Sequence, residues 1–261
     1  MSERSGLAAR WDPLRGTRAL IPYITAGFPT PRESREVLRR VAAAGADFVE
    51  VGIPFSDPLA DGPTIQRTTQ VALEQGMTAG GALELIRGVG PSVPVIIMTY
   101  LNPVLAYGVE RFVSDAHQVG VAGLLLTDLP AGADPAIERT VTGSPLSLIR
   151  LIAPTTDDAR LEAAVAEARG FVYLISRLGV TGARADTPPG LDAQVKRVRA
   201  AGAPDLRVAV GFGISTPAQA SATARSADGV VVGSALMDAL TKGGVSSLER
   251  LTRELAAAVH A

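Results

Sequence analysis

Asp47-Phe-Val-Glu-Val-Gly-Ile-Pro-Phe-Ser-Asp-Pro-Leu-Ala-Asp-Gly-Pro63 reads as one strand and the connection that leaves it. Through Ile53 the side chains alternate. Phe48, Glu50 and Gly52 fall on one face; Val49, Val51 and Ile53 fall on the other. The aliphatic face suits a covering layer of helices. Glu50 then points inward, where a carboxylate is costly unless it is paired, solvated or functional. Position alone leaves two readings, a structural glutamate bonded to backbone or hydroxyl groups, or a reactive one. Asp57 and Asp61 lie in the following connection, which is rich in turn-forming residues. Either aspartate could be a turn residue. Their place directly after the Glu50 strand lets one of them bring a second carboxylate over the same opening, as an acid/base pair requires.

Outward from this stretch, short apolar runs alternate with amphipathic ones. The strand candidates are Ala19–Thr25, Asp47–Ile53, Pro94–Tyr100, Val121–Asp128, Leu146–Ile152, Gly170–Ser176, Arg207–Gly211 and Gly229–Gly233. They are rich in Val, Ile and Leu, as strands covered on both sides should be. Helix candidates are Arg32–Ala44, Ala79–Val89, Val109–Val119, Ala133–Val141, Asp157–Ala168, Leu191–Ala201, Pro217–Ala224 and Val245–Val259. Thr30-Pro31 and Thr216-Pro217 place a capping hydroxyl before a first-turn proline. Gly45, Gly120 and Gly202 fall where helix ends favour a left-handed residue. Strict alternation implies parallel strands with right-handed crossovers. Eight such units in 261 residues predict a single-domain (β/α)₈ TIM barrel, a fold of about 250 residues. An open doubly wound sheet would want a G-x-G-x-x-G turn after its first strand, and Thr25-Ala-Gly-Phe-Pro29 is not one. Two βα connections, at about 54–63 and 177–189, are long enough to be lids on the catalytic face.

The composition removes several chemistries. There is no cysteine, so disulfides, thiolate catalysis and zinc–cysteine sites are excluded. The two histidines, His117 and His260, and the two lysines, Lys196 and Lys242, fall in helical or post-helical segments, away from strand ends. A metal site and a Schiff-base lysine are therefore not expected. A net charge of -1 and scattered basic residues give no nucleic-acid surface. The start, Met1 to Leu14, lacks a signal-like apolar stretch, and runs such as Val121–Leu126 are too short to span a bilayer. A cytoplasmic protein without membrane contact is the expectation.

Glycines cluster late in the chain. They occur in Arg177-Leu-Gly-Val-Thr-Gly-Ala183, Gly211-Phe-Gly-Ile-Ser215 and Gly233-Ser234. Such residues let backbone N–H groups approach an anion, and the loops after strands seven and eight are this fold's recurring phosphate site. Ser234 adds a hydroxyl and the helix behind it a positive end. Tyr23, Tyr100, Leu125, Tyr173 and Phe212 could line the interior or simply fill it. Asp128 ends a strand, where a cap or turn role competes with a functional one. The residues by themselves describe a phosphorylated small molecule held under the late loops, with one or two carboxylates near its other end.

The run from Val49 to Gln66 resembles the signature of tryptophan synthase α chains. The likeness continues through Leu20–Pro29, Ser176–Arg184 and Gly211–Ser215, in family order and over nearly the whole chain. It implies that Glu50 and Asp61 fall on the family's catalytic carboxylates. It also implies that Gly182, Gly213, Gly233 and Ser234 hold phosphate. Tyr173, Thr181 and Phe212 fall on substrate-lining or loop-closing positions, with Thr181 meeting Asp61 on closure. Tyr23 stands where enterobacterial members carry a pocket phenylalanine, and Phe28 and Leu178 also depart from them. The implied reaction is retro-aldol cleavage of indole-3-glycerol phosphate to indole and glyceraldehyde 3-phosphate. No cofactor is implied in this chain. The family's pyridoxal phosphate sits in a β subunit, which joins the α chain in an α₂β₂ complex and receives its indole; Asp57 and Pro58 match loop positions near that interface. Other readings are a stand-alone lyase that releases indole, a non-catalytic activator of a β subunit, and another phosphosugar barrel such as an isomerase.

Overall fold

The computed structural model describes residues 6–11, 14, 17–166, 168–175, 190–211 and 213–261. The expected loop at 177–189, with Thr181 and Gly182, and Phe212 lie outside them.

The chain opens with helix α1 (Gly6–Trp11) and strand β1 (Ala19–Thr25). Then follow α2 (Pro31–Ala43), β2 (Val49–Gly52), α3 (Pro63–Glu74), α4 (Ala79–Val89), β3 (Val95–Thr99), α5 (Leu101–Tyr107), α6 (Val109–Gln118) and β4 (Val121–Leu126). The second half holds α7 (Pro135–Thr142), β5 (Ser147–Ile149), β6 (Leu151–Ile152), α8 (Asp158–Ala166), β7 (Phe171–Ile175), α9 (Leu191–Ala201), β8 (Arg207–Gly211), α10 (Pro217–Ala224), β9 (Gly229–Val232) and α11 (Ser234–His260). Among the described residues every strand pairing is parallel, in the order β5-β4-β3-β2-β1-β9-β8-β7-β6.

The expected fifth strand, Leu146–Ile152, is broken at Arg150. Its first part pairs with β4 and its second with β7, so one chain segment closes the barrel. Across the break, the Tyr173 amide donates to the Arg150 carbonyl at 2.9 Å. The buried Arg150 side chain forms an ion pair with Glu138 of α7 and reaches the Leu129 carbonyl. Burying two charges is tolerable only when they satisfy each other. The barrel reading therefore holds, with eight staves built from nine strands.

The two strand faces separate as their alternation requires. Val49, Val51 and Ile53 pack outward with helix residues such as Val37, Leu38 and Ile86. Ile21, Phe48, Ile96, Leu125, Ile149, Phe171 and Ala209 fill the interior. At its N-terminal end the interior is plugged by α1. Trp11 sits 4.9 Å from Phe48 and 5.7 Å from Phe171 between ring centroids. Chemistry is left with the opposite end.

The expected caps are present at Thr30 and Thr216, whose hydroxyls accept from the Glu33 and Gln219 amides at 3.2 and 3.3 Å. Gly45 and Gly120 have positive φ, but Gly202 does not. Its φ is -101°, and a Cβ there would meet the Leu206 Cδ2 at 2.3 Å. Close approach, rather than a left-handed turn, accounts for that glycine. Three helices escaped the sequence reading. In α3 the buried face is Ile65, Thr68, Thr69 and Ala72, so two threonines hide the apolar period. The short α1 and α5 give less than two full turns of pattern to read. The helical stretch expected from Val245 is present within α11; what the sequence did not show is the stretch from Ser234 that precedes it, across a non-helical break at Gly243-Gly244, where Gly244 has φ +65°.

Candidate active site

Glu50 lies in β2 opposite Tyr23 of β1. Its side chain faces the barrel interior and is 3% exposed. Burial pushes its carboxyl up to about 8, and the nearby Asp61 charge pushes the same way. Near neutral pH both protonation states are accessible, which suits a group that must give and take a proton in one cycle.

Asp61 arrives from the connection after β2. Its amide donates to the Pro58 carbonyl at 3.0 Å, and its carbonyl accepts from Gln66 Nε2 at 2.8 Å. The Tyr100 hydroxyl donates to Asp61 Oδ2 at 3.1 Å and accepts from the Ala60 amide at 2.9 Å. That direction of bonding marks Asp61 as an acceptor. Burial raises Asp61 to about 6, while the Tyr100 bond pulls it down. Both carboxyls are raised, Glu50 further than Asp61, so near neutral pH the acid form is the more accessible at Glu50 and the carboxylate at Asp61.

Tyr23 and Tyr173 complete the walls. A Cβ on Gly52 would lie 2.1 Å from the Tyr23 hydroxyl, and one on Gly211 would lie 2.0 Å from the Tyr173 hydroxyl. Each ring lies over a glycine of the next strand, and only glycine leaves it room. Burial, with the nearby carboxylates, raises both phenols well above their usual value. They remain neutral hydroxyls.

A cavity of about 190 Å³ gathers these groups. Tyr23, Glu50, Asp61 and Tyr173 line it together with Gly213, Gly233 and Ser234. Gly213 has φ +78°, and Ser234 is the first residue of α11. First-turn N–H groups have no acceptor within their own helix, so Ser234 and Ala235 present the α11 N-terminus to the cavity. The chamber therefore offers an acid and an acceptor beside an anion-attracting helix end.

Not every candidate reaches this wall. Leu125 packs in the interior layer with Ile96 and Ile149. Tyr100 acts through Asp61. Asp128 accepts from the Leu101 amide at 2.7 Å and so caps the start of α5. Asp57 is exposed and accepts from the Ser56 hydroxyl. Conversely, Thr64, Ile65, Met98, Val231 and Asp238 line the cavity without having been singled out from sequence. Asp238 follows Ser234 by four residues, so helical spacing was a usable signal once α11 was started at Ser234.

The family model described as tryptophan synthase alpha chain matches residues 13–260. This chain belongs to the tryptophan synthase alpha chain family. The tryptophan synthase alpha chain of Acidiphilium cryptum is 46% identical over 244 residues, covering 92% of this chain and 88% of that protein. That of Methanosarcina acetivorans is 43% identical over 257 residues, covering 97% and 93%. A Mycobacterium tuberculosis tryptophan synthase structure superposes with a TM-score of 0.92 at 40% identity, covering 99% of this chain and all of that one. A tryptophan synthase subunit alpha from Legionella pneumophila gives 0.88 at 32% identity, covering 98% and 99%. Among the described residues no helix is long and apolar enough to cross a membrane.

Proposed function

We propose that this chain is the carbon–carbon lyase of tryptophan synthase, cleaving indole-3-glycerol phosphate to indole and glyceraldehyde 3-phosphate. Within it, Glu50 and Asp61 are the catalytic pair. The observation that carries the residue assignment is a buried carboxyl raised to about 8, sharing one cavity with a second carboxylate and a helix N-terminus.

The reaction needs the indole ring as an electron sink. Glu50 in its acid form protonates ring carbon C3. The ring nitrogen then carries positive charge, and its N–H donates to Asp61, whose ionised form stabilises that charge. The bond from C3 to the glycerol carbon breaks, and its electron pair restores the aromatic ring. The Glu50 carboxylate takes the proton of the adjacent hydroxyl as it becomes an aldehyde, which returns the enzyme to its starting state. The phosphate lies against Gly213, Gly233 and Ser234, with Gly182 from the segment outside the described residues. Tyr23 and Tyr173 flank the organic part, and the family resemblance assigns substrate-lining or loop-closing roles to Thr181 and Phe212, which lie outside the described residues. Neither a lysine nor a metal is required by this sequence of proton transfers.

In the cytoplasm the chain joins a β subunit in an α₂β₂ heterotetramer and passes indole to it; the pyridoxal phosphate of that complex belongs to the β subunit. Indole release by the purified chain, alone and with a β subunit, tests both levels. Cleavage by the chain alone, accelerated by the partner, is the expected result. No indole under either condition overturns the lyase reading. Cleavage unaffected by the partner leaves a stand-alone lyase.

A further inference from the structure

α3 starts two residues after Asp61, and its first turn is tied across the cavity mouth to α11. Thr64 Oγ1 and Arg67 Nη2 both donate to Asp238 Oδ1, at 3.2 and 3.0 Å. Thr64 and Asp238 line the same cavity as Glu50 and Asp61. On the α3 side, Gln66 holds the Asp61 carbonyl, so the turn from Asp61 to Arg67 moves as one piece. On the α11 side, Asp238 stands one helical turn behind Ser234.

The placement is costly in two ways. Arg67 and Asp238 side chains are 52% and 36% exposed, and an ion pair so accessible adds little to folding stability. A carboxylate one turn behind an anion-binding helix end also repels the anion it should help to hold. A group that does little for the fold and opposes ligand binding calls for another role. We infer that Asp238 is a positioning residue for Asp61. It fixes the start of α3, and with it the Asp61 turn, to the helix that receives the phosphate, and it does so at some loss of phosphate affinity. This inference rests on the lyase reading of the site.

Two variants separate the tether from the charge. Asp238→Ala removes both. Its kcat should fall about tenfold, since a misplaced catalytic group can cost up to about a hundredfold. Its inhibition constant for inorganic phosphate should improve about threefold, the scale of one removed like charge at partly screened distance. Asp238→Asn keeps an acceptor for Thr64; it should show the same phosphate tightening with most of kcat restored. A purely structural role would lower Tm in both variants without splitting kcat from phosphate affinity. Unchanged kcat in Asp238→Ala, or phosphate binding that weakens in both variants, overturns the inference while leaving the lyase reading intact, provided the unmodified chain cleaves substrate in the same assay. An unmodified chain that cleaves nothing removes both.

Discussion

Replacing Glu50 by Gln separates the two consequences of burying that carboxyl. Its ordinary value of 4.5 is raised to about 8 in the folded chain. A raised carboxyl means that the folded state keeps a proton the unfolded state has released. The stability this represents is complete below pH 4.5 and is lost as pH rises through about 8. Fully developed, the difference is worth about 5 kcal/mol, and about 4 kcal/mol of it falls between roughly pH 5 and pH 9. The amide of the Glu50→Gln variant has no such proton to lose. In urea denaturation followed by circular dichroism, the stability of Glu50→Gln relative to the unmodified chain should therefore climb by about that amount from pH 5 to pH 9. Asp61 contributes its own slope to both proteins and largely cancels. The same variant should lose about 10²–10⁴ in the rate of indole release, because the only proton shuttle in the proposed mechanism is gone. Parallel stability curves would refute the burial argument. Near-normal turnover would refute the assignment of Glu50 as the shuttle, whatever the stability showed.

Tyr100→Phe deletes the bond that lowers Asp61, so Asp61 should titrate above about 6. Since the proposed mechanism uses Asp61 ionised, the acid limb of the kcat/KM profile should move to higher pH, and an unmoved limb would detach Tyr100 from the site. Gly211→Ala would place a methyl 2.0 Å from the Tyr173 hydroxyl. The buried ring must swing toward the cavity, so KM should rise at least about tenfold with a stability loss of about 1–3 kcal/mol, as overpacking usually costs; unchanged kinetics would show that the ring has another place to go.

Much of this protein was open to reading because it is written in short-range pattern. Period-two alternation in Asp47–Ile53 separates an aliphatic face from Glu50, and that alone aims the carboxyl inward. Repeated strand–helix alternation implies parallel staves, and hydroxyl-proline pairs at Thr30 and Thr216 announce helix starts. Eight staves in a chain of this length leave closure as the economical solution. The tertiary structure decided what depends on residues distant in sequence. The break at Arg150 is invisible in an apolar run, because it reflects two different pairing partners and a buried glutamate from α7. The face of α3 is hidden by Thr68 and Thr69, which are buried by the barrel they meet rather than by their own hydrophobicity. Tyr23 and Tyr173 owe their rotamers to glycines on neighbouring strands. Asp61 owes its orientation and acceptor role to Tyr100, 39 residues away, and the start of α3 is tethered by Asp238, 171 residues from Arg67. Local sequence determines the direction a side chain faces from its own strand or helix. The raised carboxyl of Glu50 exists only once barrel closure has removed water and brought the second carboxylate, Asp61, to the same cavity.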